Sequence, residues 1–352
     1  MRIKSIIGRE IYNSRGWPTV QCELILENDR RFYSNVPIGV SQGSHEARQL
    51  YDQGDRLWGR GVLKAVHTID TIIAPQLIGR EPHAITMDLE LIKLDGTADK
   101  SNLGANAILA VSMALYRAHA YLEKVELFEF IGHVCGAETV ALPFPFFNMI
   151  NGGLHANNNL QIQEFMVVPV GTPDFRTTME VSATIFHELH NELKKNKKMI
   201  VFGDEGGYAS DVDTDEQAIE IITETIHRVQ ERYGYQALIA LDVASTRLYD
   251  PISKRYIWSG KKIIFEELVN YYEKLVAQYP ICSIEDGLAE DDWDGWVYMT
   301  NCLKEKVQII GDDLFVTNPS RINYGLELGA ATGVIIKPDQ IGTITETLQT
   351  LR

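Results

Sequence analysis

The sequence predicts an α/β chain, with a small α+β domain first and a barrel of alternating strands and helices after it. Three observations predict this. Short β-rich apolar runs recur through the second half, separated by helix-like stretches, as parallel strands covered on both faces do. The first 35 residues instead alternate apolar and polar as paired antiparallel strands do. The 352 residues, 45% of them apolar, suffice for about two domains with sizeable cores.

Taken in order, TVQCELIL (19–26), the turn-like ENDR and RFYSNV (31–36) read as a hairpin. The polar loop PIGVSQGSHEA (37–47) follows, then helical stretches to about residue 130, of which GANAILAVSMALYRAHAYLE (104–123) is apolar enough to be packed. The helix-rich stretch ends near 135–140, which divides the chain into domains 1–135 and 140–352. Six strands are expected in the second domain: 143–149, 164–170, 238–243, 281–285, 307–312 and 333–337. Thr172-Pro173 has the pattern of a helix cap and first-turn proline. In the helix that follows, Met179, Ile185, Phe186, Leu189 and Leu193 form the face expected in the core, and KKNKK (194–198) suits its solvated end. Ile222, Ile226 and Val229 mark a further helix, and EDDWDGW (290–296) reads as a loop with anchored aromatics.

The chemistry lies at the strand ends. LIALD, ICSIE and VQIIGD end in Asp242, Glu285 and Asp312, and GVIIK ends in Lys337. Parallel strands share one C-terminal edge, so these side chains are expected to converge where (βα) barrels carry their sites. Three hard oxygen ligands suit Mg²⁺. A lysine beside a divalent cation is open to use as a base. A single acid at a strand end would more simply be a helix cap. Three acids and a lysine on four strands point to a site.

Composition excludes other classes. A net charge of −15 disfavours a nucleic-acid binder, which needs a basic face. Cys22, Cys135, Cys282 and Cys302 form no CxxC pair, which suits a reducing, cytoplasmic setting. The N-terminus has too short an apolar stretch for a signal peptide, and no run of 18 apolar residues exists to span a membrane.

Ten stretches together resemble the enolase family over essentially the whole chain: GREIYNSRGWPTV (8–20), GVLKAV (61–66), LDGTADKSNLGANAILAVS (94–112), NGGLHANNN (151–159), QEFM (163–166), GDEGGY (203–208), SIEDG (283–287), DWDGW (292–296), GDDLFVTN (311–318) and IKPDQIGT (336–343). The resemblance implies an α+β N-terminal domain and a C-terminal barrel whose first two strands have no helix between them. It implies reversible dehydration of 2-phosphoglycerate to phosphoenolpyruvate, with two Mg²⁺ per site and at least a homodimer. Enolase-superfamily sites are themselves the known case of a Lys or His base paired with one or two Mg²⁺ ions. By motif, Asp242, Glu285 and Asp312 match the first magnesium's ligands, and Ser41, in a mobile loop, matches a holder of the second. Lys337 matches the base, Glu205 the acid that protonates the departing hydroxyl, and His155, Gln163 and Glu164 the substrate pocket.

The chain also departs from the family pattern. PIGVSQG stands where PSGASTG is usual, Asn13 and Trp17 replace Asp and Asn, and Arg247 follows DVAST in place of a glutamate. Enolases continue with two further strand–helix units, which carry an Arg-Ser phosphate grip and a lysine for the substrate carboxylate. The resemblance therefore implies about six of eight barrel strands here, with open edges at 143–149 and 333–337. It leaves two readings: a working enolase, or a catalytically impaired relative that acts as a binding protein.

Overall fold

A computed structural model describes all 352 residues except Val40 and Ser41. The chain divides by contact into two compact units. One comprises Met1–Ala141, Val316–Ile322 and Ile336–Arg352, and the other Leu142–Phe315 and Asn323–Ile335.

The first unit opens with an antiparallel sheet of β1 (Ile3–Tyr12), β2 (Pro18–Leu26) and β3 (Arg31–Asn35), in that order. The β1–β2 turn rests on Asn13, whose Oδ1 accepts from Arg15 N and Trp17 N, while Gly16 takes the left-handed φ of 75° that closes it. The β2–β3 hairpin is the one the sequence predicts. Short helices α1 (Leu63–Thr68) and α2 (Ala74–Leu77) lead to α3 (Ala84–Asp95), α4 (Ala105–Glu123) and α5 (Leu127–Cys135). Helix α4 is buried nearly all round, as its apolar sequence predicts, and packs on β2 and β3.

The second unit carries a six-stranded sheet. It begins with the antiparallel pair β4 (Phe147–Asn151) and β5 (Glu164–Val170), with no α-helix between them. Helices α6 (Phe175–Lys195) and α7 (Asp215–Tyr233) follow, then β6 (Gln236–Asp242), antiparallel to β5. A small meander of β7 (Tyr249–Asp250), β8 (Arg255–Trp258) and β9 (Lys261–Ile263) precedes α8 (Phe265–Gln278). The alternation then runs β10 (Ile281–Glu285), α9 (Trp293–Leu303), β11 (Gln308–Gly311), α10 (Pro319–Leu328) and β12 (Gly333–Val334). The sheet order is β12-β11-β10-β6-β5-β4, and β6, β10, β11 and β12 run parallel as predicted.

Several local expectations need correction. The first strand starts at Phe147, not 143, because Pro143 and Pro145 have no N–H to give a ladder. The last strand stops at Val334, so Lys337 lies beyond it, extended before Pro338. Helix α6 is capped by Asp174, whose carboxylate accepts from Thr177 N, and not by Thr172. Met179 on that helix is exposed, whereas Ile185, Leu189 and Leu193 are buried. EDDWDGW is half helix, since Asp292 caps α9 and Trp296 sits fully inside.

The chain returns to the first unit briefly at Val316–Ile322 and again from Ile336, with α11 (Pro338–Ile341) and α12 (Ile344–Leu351). Leu348 of α12 joins the core of α3, α4 and the N-terminal sheet. Buried Asp88 on α3 accepts from Thr345 N and Oγ1, and Ser112 Oγ of α4 donates to it at 2.7 Å. Lys100, also buried, pairs with Glu346 at 3.0 Å.

Candidate functional site

In the second unit, Asp242 and Glu285 end β6 and β10 and are direct partners in the parallel register. Glu285 is likewise opposite Ile310 of β11, and Asp312 stands one residue past that strand. The three predicted carboxylates thus occupy the C-terminal ends of three adjacent strands. Asp242 and Asp312 are buried.

The geometry adds two acids that the sequence reading passed over. Asp286, Asp312 and Asp313 offer carboxylate oxygens within 4.8 Å of one another. Asp286 takes a positive φ of 43°, which turns the chain just after Glu285. Its two oxygens accept from Asp312 N at 2.9 Å and Asp313 N at 2.8 Å, so it ties the end of β10 to the turn after β11. Burial, with the charges of Asp313, Asp312 and Asp242, drives its carboxyl well above the ordinary carboxylate range. The adjacent acid pairs in SIEDG and GDD were the available signal. Every ligand atom named at these strand ends is a hard carboxylate oxygen. The residues therefore fit Mg²⁺.

Beside them, the loop after β4 brings His155 to Glu164 and Glu205. His155 Nδ1 lies 3.4 Å from Glu164 Oε1 and 3.8 Å from Glu205 Oε2. The His155 ring is buried, and neither of its nitrogens has a hydrogen-bond partner. Glu205 is more open, at the tip of the 203–207 turn. Gln163 Nε2 donates to Asp242 Oδ2 at 3.1 Å, and its buried Oε1 is unpartnered. Unsatisfied buried donors and acceptors of this kind are rare in proteins.

Two residues hold the loop before β5. Asp215, at the first turn of α7, accepts from Gln161 N and Ile162 N, and burial raises its carboxyl to about 6. Arg247, the residue that departs from the family pattern, donates from Nη2 to Gln161 O.

Lys337 belongs to the first unit. It caps α11, its N–H donates to Thr317 Oγ1 at 2.8 Å, and that hydroxyl donates to Gln340 Oε1 at 2.7 Å. Thr317 and Gln340 are both buried. Gln340 O accepts from Ala47 N at the end of the 37–47 loop. Ser41 lies outside the described residues.

Two family descriptions match the chain: "Enolase, N-terminal domain" over residues 3–131 and "Enolase, C-terminal TIM barrel domain" over residues 139–352. A curated relative, the enolase of Sulfurimonas denitrificans, is 43% identical over 353 residues, spanning 100% of this chain and 83% of the relative. The three-stranded sheet with its helices is therefore an enolase N-terminal domain, and the mixed six-stranded sheet is part of a TIM-barrel domain. On these matches the chain belongs to the enolase family, a family of hydro-lyases that use a divalent metal.

Proposed function

We propose that this chain catalyses the magnesium-dependent, reversible dehydration of 2-phosphoglycerate to phosphoenolpyruvate, the glycolytic step. The observation that carries this reading is the set of acids in one unit. Asp242 and Glu285 are register partners, Asp312 stands beyond the next strand, and His155, Glu164 and Glu205 meet alongside.

Asp242, Glu285 and Asp312 would hold one magnesium, with Ser41 contributing to a second. The chemistry supplied by the metal is neutralisation of charge building on the substrate carboxylate. Lys337 removes the proton next to that carboxylate. Free lysine titrates at about 10.4, so local charge must bring it down for this task. Glu205 protonates the departing hydroxyl, which otherwise leaves poorly. His155, Gln163 and Glu164 line the substrate, and the unpaired His155 nitrogens and Gln163 Oε1 supply hydrogen-bonding capacity for it. Acid and base assistance contribute about 10²–10⁴ each.

The test is formation of phosphoenolpyruvate by purified protein, followed by its enol absorbance. Turnover is expected only with Mg²⁺, is abolished by chelator, and falls about 10²–10⁴-fold in Lys337→Ala and in Glu205→Gln. A folded, magnesium-loaded protein without turnover would overturn the reading, and so would a Lys337→Ala variant as active as its parent. The assembly we propose is a homodimer or a higher homo-oligomer, to be checked by light scattering.

A further inference from the structure

Beneath Glu205 lies a pair of asparagines with no role in the reading above. Asn151, the last residue of β4, is completely buried, and neither Oδ1 nor Nδ2 has a hydrogen-bond partner. Both polar atoms of Asn148, three residues earlier across a register shift in the strand, are also buried and unpaired. Four orphaned amide atoms side by side are costly, and such groups call for a physical explanation.

The groups packed against them belong to the Glu205 turn. The turn is closed by Gly203 N donating to Gly207 O at 2.8 Å and Gly206 N donating to Gly203 O at 3.2 Å. It is anchored on β4 through Asn151 N to Tyr208 O and Tyr208 N to Met149 O. A Cβ on Gly203 would lie 2.5 Å from Asn151 Oδ1, and one on Gly207 would lie 2.8 Å from that atom and 2.9 Å from Asn148 Oδ1. The turn backbone therefore lies directly on the two amides, and it does so only because both residues lack a side chain. Asp204 N also donates to His155 O, which links the same turn to the loop bearing His155.

We propose that Asn151, assisted by Asn148, is a positioning residue for Glu205: its amide hydrogen-bonds the backbone of the 203–207 turn when substrate is engaged and so sets the Glu205 carboxyl against the leaving hydroxyl. The inference rests on the functional reading above, in which Glu205 acts after Lys337. That order supplies a readout that a merely structural defect would not give. Proton removal by Lys337 is visible as exchange of the substrate hydrogen at C2 with D₂O, whereas elimination requires Glu205 as well.

The experiment measures turnover, KM and C2 exchange of 2-phosphoglycerate in D₂O for the magnesium-loaded full chain. For Asn151→Ala we expect kcat to fall about 10²-fold, the usual cost of a misplaced group, with KM and C2 exchange within about threefold of the parent. Asn151→Asp, which keeps the shape and loses the donor, should show the same split. Gly207→Ala approaches from the other side, crowding the amides without removing one, and serves where Asn151 variants fail to fold. An unchanged kcat in these variants, or exchange and turnover falling together in folded protein, overturns the positioning role. A parent chain with neither exchange nor turnover instead removes the functional reading, and this inference with it.

Discussion

Asp88 concentrates much of the first unit's polar chemistry in one carboxylate. Three hydrogen bonds reach its Oδ2, while Oδ1 is buried without a partner. Burial raises its carboxyl to about 6 despite those bonds. A carboxyl raised above its unfolded value favours the folded state when protonated. Its contribution is therefore complete below about pH 4 and is lost as pH rises through about 6. Between pH 7.5 and pH 4.5 it should add about 2 kcal/mol. Urea unfolding of the parent and Asp88→Asn should show that difference, and equal differences at both pH values would sink the idea. Residues of this kind were illegible in the sequence. Asp242, Glu285 and Asp312 could be read because each ends an apolar run, a local pattern. Asp88, Asp215 and Asn151 matter because of what packs around them, and nothing in their local pattern announces it, whereas Asp286 had only the adjacent acid of SIEDG as a signal. Asn13 is intermediate: it looked like a departure, yet an asparagine closes this turn with two backbone hydrogen bonds.

At the scale of elements, caps and prolines decided where the reading held. The strands ending in Asp242 and Glu285 were placed within two residues of the observed ends, because β-rich runs bounded by polar residues have few alternatives. The boundaries that moved did so for reasons of backbone chemistry: prolines before β4, a stronger cap two residues along at α6, and an aspartate that starts α9 early. Helix α7 offers a clean test of such a cap. Thr214 Oγ1 accepts from Gln217 N, so Thr214→Ala should cost about 1 kcal/mol in chemical denaturation. Helix α12 tests a larger effect. Glu346→Gln leaves the buried Lys100 ammonium without its carboxylate, and a loss of about 3 kcal/mol is expected. A change under 1 kcal/mol would mean that Lys100 finds another partner.

For the molecule as a whole, the strand-end acids predict a response to metal that needs no turnover. Mg²⁺ that binds only the folded protein stabilises it by about 2.7 kcal/mol at a hundred times its Kd. Thermal melts should therefore rise saturably with added magnesium, fall back with chelator, and lose the response in Asp312→Asn and Glu285→Gln. A rise that survives both substitutions would place the metal elsewhere. Two successive architectures, an α+β part and then a strand–helix part, were legible in the sequence because each has its own periodicity. The return of Ile336–Arg352 to the first unit was not, since it depends on contacts between residues as far apart as Asp88 and Thr345. That return bears on the order of events at the ribosome. The segment Leu142–Phe315, the bulk of the second unit, has emerged whole before Leu348 exists. Leu348 joins the core of α3, α4 and the N-terminal sheet only after that segment has been synthesised, so the first-made unit is the one whose core is completed late.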